Sequence, residues 1–214
     1  MATASRDVPV TQWVENPDGG RDRGPRGLVR AWVEVLVRPR RFFENGIAPA
    51  DQAPGLVFAV AVTFSYVGGR LVFDPGSFPV FGDSVVVSAL LVVGVACLLV
   101  APLALHLTAA LGTLALIPLV RDRAGISETV QAIAYATAPC VFAAIPIPEI
   151  RVVAAAYGAV LLAIGFAVVH DTTPIRAALA ALLPATLVFG FAFGGFSALE
   201  TLFGIELVTD SRTA

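Results

Sequence analysis

The feature that most constrains the fold is a run of 36 residues, Val85–Val120, in which His106 is the only ionisable side chain. A helix of that length extends about 54 Å, which exceeds a hydrocarbon core of roughly 30 Å but falls short of two crossings joined by a turn. We therefore predict one crossing over residues 85–105, followed by a bent segment with Gly112 and Pro118 along the inner surface. A re-entrant hairpin in the second part of the run, typical of a conduit, is the alternative.

The composition indicates a membrane protein. Of the 214 residues, 57% are hydrophobic and only 14% are charged, a balance outside the range of ordinary soluble domains. Each crossing takes about 20 residues plus its loop, so this length allows one helical bundle. The predicted fold class is an all-α integral membrane protein with five transmembrane helices and an N-terminal amphipathic helix at the interface. The membrane domain covers residues 44–206, with spans near residues 52–73, 85–105, 128–146, 152–170 and 177–199.

Small residues and prolines indicate how these helices pack. Ala132 and Ala136 are four residues apart in the third span, and Gly190 and Gly194 form a GxxxG pattern in the fifth. Such faces let two membrane helices approach closely. Pro139 lacks an N–H group, so one carbonyl in the preceding turn loses its partner and must be shielded by protein or water. We expect the resulting kink to face the inside of the bundle.

The N-terminal region carries charge at helical spacing. Residues 1–27 are rich in glycine, proline and charge, which predicts a disordered cytoplasmic tail. Over residues 28–43 an arginine-bearing face lies opposite a face of valine and tryptophan, the pattern of an amphipathic helix in the headgroup plane of an anionic membrane. A basic and aromatic anchor ends this region. The residues predicted to bind anionic lipid, or alternatively to dock a protein partner, are Arg30, Arg38, Arg40, Arg41, Phe42 and Phe43.

The distribution of arginine predicts the orientation. Eight of the fourteen arginines precede residue 42, and there is no lysine. Under the positive-inside rule, eleven arginines fall on the cytoplasmic side of a five-span bundle, against Arg70, Arg151 and Arg212 outside. The N-terminus is therefore predicted in the cytoplasm and the C-terminus outside, with residues 207–214 as a short external tail. The predicted location is the cell membrane, which the chain crosses several times.

No catalytic motif is present in the sequence, since HExxH, P-loop, GxSxG and CxxC patterns are all missing. We predict no enzyme activity, no cofactor and no nucleic-acid partner. A polar crevice is the best candidate for chemistry. Two imidazoles and a carboxylate there can hold a divalent metal, but helix capping and hydrogen bonds between helices explain them better, so no metal is predicted. The crevice residues are Glu128, Gln131, Tyr135, His106, His170 and Asp171.

Three stretches resemble one membrane protein family. HLTAALGTLALIPL, GISETVQAIAYATAP and AIGFAVVHDTTPIRAALAALLP, preceded by RPRRFF, are similar to the prokaryotic branch of the Yip domain family, the Ypt/Rab-GTPase-interacting membrane proteins. The all-arginine N-terminal region resembles haloarchaeal relatives. The resemblance covers most of the chain from about Leu28 and implies five spans with a cytosolic N-terminus, in agreement with the arginine count. Eukaryotic members of the family are trafficking factors that bind prenylated small GTPases and shape membranes.

We expect a non-enzymatic membrane adaptor or organiser. Its basic N-terminal helix would grip the lipid bilayer, with anionic lipid at the cytoplasmic face, and its loops would recruit an unknown cytosolic or membrane protein. A homo-oligomer is also compatible with the small-residue faces. The alternative is a small transporter or channel with a polar path lined by helices bent at proline. A continuous polar channel past Tyr135 and His106 would favour the transporter, whereas a closed apolar core would exclude it.

Overall fold

A computed structural model describes residues 24–205, and this part of the chain is helical with no β-strand. The predicted tails lie outside the described residues, except that residues 25–27 of the first belong to a helix. The elements are α1 Pro25–Val37, α2 Pro39–Asn45, α3 Ala53–Phe73, a short 3₁₀ turn Pro75–Ser77, α4 Val85–Leu116, α5 Ile126–Ala136, a 3₁₀ helix Ala138–Ala144, α6 Pro148–Val169, α7 Pro174–Ala192 and α8 Gly195–Phe203. We call residues 126–144, which contain α5 and the 3₁₀ helix after it, the central segment.

Four of the described helices are long and apolar enough to cross a membrane, namely α3, α4, α6 and α7. The chain is therefore a multi-pass membrane protein with an all-helical fold, as predicted. The sequence predicts a fifth crossing over residues 128–146. In the structure this stretch is divided between an α-helix and a 3₁₀ helix, so neither part is long enough alone to span a bilayer.

The helix α4 runs without interruption to Leu116, so the predicted bend in its second part is absent. Its hydrogen-bond ladder widens instead over Ala96–Val100, where a π-helical turn brings the N–H of Ala101 to a carbonyl five residues earlier. A π-helical turn re-pairs backbone groups near Pro102, which has no N–H to donate. Pro118 follows two residues after the helix ends, where a residue that cannot continue a helix is common. The apolar run as far as Leu116 is thus one long helix.

The central segment lies inside the bundle. α5 packs against α3, α4 and α6, and the 3₁₀ helix packs against α3 and α6. Every side chain over residues 129–140 is buried, including Ala132 and Ala136. Close approach is clearest at Gly69 of α3, where an added Cβ atom would lie 2.6 Å from the Cβ atom of Ala144. Small residues thus let the neighbouring helices enclose this segment.

Pro139 changes the winding of the central segment. Around it, the N–H of Thr137 bonds the carbonyl of Ala134 at 3.2 Å, and the N–H of Cys140 bonds the carbonyl of Thr137 at 2.8 Å. These bonds join residues three apart, so they tighten the helix to 3₁₀ geometry. The proline then stands in the first turn of the 3₁₀ helix, where a missing N–H is tolerated.

The last predicted span, residues 177–199, is two helices instead of one. α7 widens into a π-helical turn over its last seven residues, soon after Pro184. Gly194 has φ +71°, a left-handed conformation that glycine adopts without strain, and α8 starts at the next residue. An added Cβ atom on Gly190 would lie 2.4 Å from the ring of Phe196. The GxxxG pair therefore lets α8 fold back against the end of α7, and it does not form a seam between two continuous helices.

Candidate functional site

The helices α1 and α2, residues 25–45, lie on the outside of the bundle, and we call them the N-terminal strap. Along α1 the side chains fall into four sectors, because positions four residues apart recur on one face of a helix. The half-buried sector is Leu28, Trp32 and Leu36. The buried sector is Gly27, Ala31 and Val35, the exposed apolar sector is Val29, Val33 and Val37, and the charged sector is Arg26, Arg30, Glu34 and Arg38. This pattern is typical of a helix that contacts protein, lipid and water at the same time.

Two hydrogen bonds attach α1 to the bundle. The indole Nε1 of Trp32 donates to the carbonyl of Ala138 at 2.8 Å, and the hydroxyl of Tyr157 on α6 donates to the carbonyl of Leu36. The Trp32 ring also packs against Phe142, with ring centroids 5.6 Å apart. Because Ala138 lies in the 3₁₀ helix, the N-terminal strap is bonded directly to the rewound part of the central segment.

α2 is held by its two aromatic rings. Phe42 and Phe43 are only 1% and 2% exposed, although the sequence predicts them as contacts to lipid or to a partner. Phe42 packs edge-on against Tyr135 with centroids 4.7 Å apart, and the ring of Phe43 lies about 3.0 Å from where a Cβ atom on Gly165 would be. The rings bury here because α2 is only seven residues long and places its charged side chains on the opposite face. They fix the strap to the bundle and are out of reach of lipid.

The arginines of the N-terminal strap lie on its outer surface. Arg30, Arg38 and Arg40 are exposed and Arg41 is half-buried. The Nε atom of Arg40 lies 3.1 Å from an Oε1 atom of Glu44, one turn later on α2. An ion pair as exposed as this one contributes little to stability. The strap thus presents a mainly basic surface on the outside of the bundle.

Gln131, predicted in the polar crevice, is instead a structural clasp. Its side-chain Nε2 donates to the carbonyl of Ala48 at 2.7 Å, and its Oε1 accepts from the N–H of Ala48 at 3.0 Å. Both residues are buried. Buried backbone groups need partners, and this amide supplies a partner for both the N–H and the carbonyl of Ala48, in the connection between α2 and α3. Gln131 is therefore satisfied by the chain itself.

The other polar residues of the predicted crevice are dispersed. His106 is exposed on α4, with its Nε2 2.9 Å from the Oε1 of Gln52. Asp171 is exposed after α6, and Glu128 is half-buried at the start of the central segment. Among residues 24–205, no three His, Cys, Asp or Glu side chains cluster as metal ligands do. The structure does not bring the two histidines and Asp171 together as one site.

His170 follows the last residue of α6 and is buried. Its Nε2 is 3.4 Å from the hydroxyl of Thr129, and its Nδ1 has no hydrogen-bond partner within the described part of the chain. Burial, reinforced by the positive charge of Arg123, lowers the pKa of His170 to about 4. Ser127, in the first turn of α5 after the N-cap Gly125, is also buried, and its hydroxyl has no hydrogen-bond partner among residues 24–205.

The core is closed around Tyr135. Its ring is fully buried and packs edge-on against Phe42 and Phe58, with the Phe58 centroid 5.0 Å away. Between α3, α4, the central segment and α7 lies a cavity of about 170 Å³, whose wall is apolar except for Thr63, Tyr66 and Thr137. Tyr135 is enclosed by aromatic rings whereas His106 is exposed on α4, so these two residues do not face a common space.

The sequence reasoning missed that the N-terminal strap docks on the central segment. The signal available in the sequence was Trp32, which places an indole donor on the apolar side of an amphipathic helix. A buried indole N–H needs an acceptor, and the 3₁₀ helix supplies one. The distance of 106 residues between donor and acceptor hides this pairing from local patterns.

Comparison with known proteins agrees with this architecture. No curated protein and no solved structure gives a significant match to the chain. A family model described as the Yip1 domain matches residues 33–196, which is more than half of the chain and covers the bundle together with most of the N-terminal strap. The chain therefore belongs to the Yip1 domain family.

Proposed function

We propose that this Yip1 family protein is a non-enzymatic membrane adaptor or organiser whose N-terminal strap contacts anionic lipid at the cytoplasmic face and recruits a cytosolic or membrane protein. The observation that carries this proposal is the docking of the strap. One sector of α1 and both aromatic rings of α2 are buried against the bundle, while Arg30, Arg38 and Arg40 lie exposed on its outer surface. A closed apolar core behind it leaves the outer surface as the place for interactions.

The central segment is the fifth crossing in this proposal. Eleven α-helical residues at about 1.5 Å each and seven 3₁₀ residues at about 2.0 Å each give about 31 Å, close to a hydrocarbon core of about 30 Å. Five crossings place the two ends of the chain on opposite sides of the cell membrane. The arginine distribution then puts the N-terminus in the cytoplasm and the C-terminus outside. Cysteine labelling from each side tests this, and both ends on one side would contradict it.

Lipid contact is tested with the full chain in nanodiscs that contain spin-labelled phosphatidylglycerol or phosphatidylcholine. We expect the wild-type protein to immobilise more of the anionic lipid at low salt, and less as salt screens the charges. Reversal of Arg30, Arg38, Arg40 and Arg41 to Glu should remove this preference. Arg176→Glu, an exposed arginine outside the strap, is the matched control and should keep most of it. An unchanged preference in the four-residue variant would exclude lipid binding by the strap.

Recruitment is tested by crosslinking in native membranes followed by pull-down, with a photoreactive group at Arg41 or at Val37. A partner that depends on the strap should be lost in the charge-reversed variant and kept in Arg176→Glu. Recovery of this same chain as the main product would identify a homo-oligomer in place of a separate partner. The transporter alternative has no specific observation in its favour, because Tyr135 is enclosed by aromatic rings and His106 faces outward.

A further inference from the structure

The helix α1 lies against the middle of the long helices and not against their ends. Trp32 borders a cavity of about 230 Å³ together with Ala61 and Ser65, which stand near the middle of the helix Ala53–Phe73. On its other side, Leu36 accepts a hydrogen bond from Tyr157, near the middle of the helix Pro148–Val169. Trp32 and Leu36, both in the second half of α1, are thus set near half the length of the spans.

This level corresponds to the interior of a bilayer. At about 1.5 Å per residue, α3 and α6 are about 31 and 33 Å long, which matches a hydrocarbon core of about 30 Å. A helix that lies against their middles is therefore about 15 Å from either boundary of that core. Interfacial amphipathic helices instead lie within about 5–10 Å of the headgroup boundary. The strap is docked deeper than a surface helix.

The depth is fixed by packing. Ala31 and Val35 are completely buried, and α1 is bonded through Trp32 and Leu36. Moving the helix outward to the headgroups would break these contacts and expose the indole donor and the carbonyl acceptors to lipid. The charged sector consequently remains at this level.

A charged sector at this level is unfavourable in an undisturbed bilayer. Arg26 and Arg30 are exposed, and Glu34 is half-buried beside them. Charged side chains at the bilayer centre are accommodated by snorkelling, by water defects and by local thinning of the bilayer. The four charged positions recur at every turn of α1 up to Arg38. The lipid beside the strap must therefore adapt over the whole length of the helix.

We propose that the N-terminal strap thins the cytoplasmic leaflet beside it and provides a path on which phospholipid headgroups cross the bilayer, so that the protein has phospholipid-scrambling activity. This inference goes beyond the adaptor role, because it requires neither a protein partner nor a preference for anionic lipid. A scrambling protein and a lipid-selective adaptor are therefore distinguished by separate measurements.

A groove beside the strap fits this path. It has a volume of about 600 Å³ and combines a polar rim with an apolar floor. The rim includes Arg40, Glu44 and Asp171, and the floor includes Val160 and Ala163. Charges of both signs suit the phosphate and the ammonium group of a phospholipid headgroup, while the apolar floor suits its acyl chains. Because Asp171 follows the end of α6, the groove leads from the inner end of the bundle towards the level of α1.

The depth is tested with spin labels on the full chain in phosphatidylcholine–phosphatidylglycerol vesicles, in a background of Cys97→Ala and Cys140→Ala. One label replaces Arg26, and the matched control replaces Leu98, which is 80% exposed on α4. Leu98 is level with the middle of α3, because the sulfur of the neighbouring Cys97 lies 4.0 Å from the carbonyl of Val60. We expect a water-soluble nickel chelate to relax the Arg26 label several-fold more than the Leu98 label. Equal shielding of both labels would overturn the thinning.

The activity is tested by dithionite bleaching of fluorescent phosphatidylcholine in the same vesicles. Protein-free vesicles lose the signal of the outer leaflet only, whereas vesicles with the wild-type protein should lose nearly all of it, at a rate at least about tenfold faster than spontaneous crossing. Replacement of Arg26, Arg30, Glu34 and Arg38 by Leu should abolish the second phase. The matched variant with Val29, Val33 and Val37 replaced by Leu should retain it.

A second measurement protects this test against misfolding of the charge-free variant. The wild-type protein in vesicles of longer-chain phosphatidylcholine should scramble several-fold more slowly, because a thicker core raises the barrier that thinning has to lower. If dithionite bleached only the outer-leaflet lipid of vesicles that contain the wild-type protein, whatever the chain length of the phosphatidylcholine, the scrambling activity would be overturned. Retained scrambling in the folded charge-free variant would remove the strap from the mechanism.

Discussion

The central segment and α4 are both built for a membrane, yet they occupy opposite environments. α4 is the most hydropathic of the four long helices, and few of its side chains are buried. The central segment contains alanines, threonines and a glutamine, and its side chains over residues 129–140 are all buried. Lipid is as apolar as leucine, so large aliphatic side chains gain nothing by leaving it, whereas small residues allow close helix contacts. In this molecule high hydropathy marks the lipid face and small size marks the core.

The largest loss of stability should come from a bulkier side chain beside the central segment. Gly69→Leu places a side chain where Ala144 already lies 2.6 Å from an added Cβ atom, and overpacking of this kind costs about 3 kcal/mol. Gly94→Leu on α4 is the matched control, because no atom lies within 4 Å of its added Cβ. It should be neutral or slightly stabilising, since leucine favours a helix more than glycine does. Thermal unfolding in detergent measures the melting temperature of both variants. Equal changes in melting temperature would contradict the contrast between the buried central segment and the exposed α4.

The next largest effect should come from the amide clasp of the central segment. Gln131→Leu removes the partners of both the N–H and the carbonyl of Ala48 and leaves these buried groups unpaired, at a cost of about 2–3 kcal/mol. Gln52→Leu loses only a hydrogen bond to the exposed His106 on α4. It should lower the free energy of unfolding by less than about 1 kcal/mol. Titration with sodium dodecyl sulfate compares the two, and a larger loss at Gln52 would contradict this assignment.

The free energy of unfolding should depend on pH because of His170, which is buried beside the central segment. The pKa of His170 is lowered to about 4 in the folded state, against 6.5 for the unfolded chain. The unfolded state therefore binds more protons between these values, and stability falls as pH decreases through this window. The loss should reach about 2 kcal/mol between about pH 7.5 and about pH 5.

The variant His170→Gln should remove this component of the pH dependence. His106→Gln, on the exposed face of α4, is the matched control and should retain it. The measurement is the unfolding midpoint of each variant across the pH range. A pH dependence that survives in His170→Gln would assign it to another group.

The smallest effect should come from the bond between the strap and the central segment. Trp32→Phe keeps most of the ring but removes the donor to the Ala138 carbonyl, and such a loss costs about 1 kcal/mol. Cys97→Ala on α4 removes only a weak contact of its sulfur to a carbonyl 4.0 Å away, and should cost clearly less. Circular dichroism melts follow both changes. A larger decrease in melting temperature for Cys97→Ala than for Trp32→Phe would show that the contact on α4 contributes more to stability than the bond of the strap.

Local chemistry was readable from the sequence. The Oδ1 of Asp51, just before α3, accepts from the N–H of Ala53 two residues later at 3.2 Å. Arg70 and Asp74 are four residues apart in sequence, and their side chains form an ion pair at 3.0 Å. These interactions join residues within one helical turn, so the spacing alone determines them. The Yip1 family was readable for a related reason, because its motifs are continuous stretches of sequence.

The candidate site was only partly readable. The arginines of the strap were found from their spacing, but the burial of Phe42 and Phe43 depends on Tyr135 and on Gly165, more than ninety residues away. The effect of Gly190 and Gly194 also depends on context. A GxxxG pattern forms a contact face between two helices if the helical hydrogen bonds continue through it, and it forms a turn if they stop, as they do here before Gly194. Neither outcome is set by local propensity.

The bond between Trp32 and Ala138 has a consequence for biosynthesis. The donor leaves the ribosome 106 residues before its acceptor, and at about 5–20 residues per second this interval lasts about 5–20 seconds. During that time the strap lacks the residue to which its indole bonds. Docking of the strap therefore has to wait until the central segment is made, although the strap is among the first parts of the chain to be synthesised.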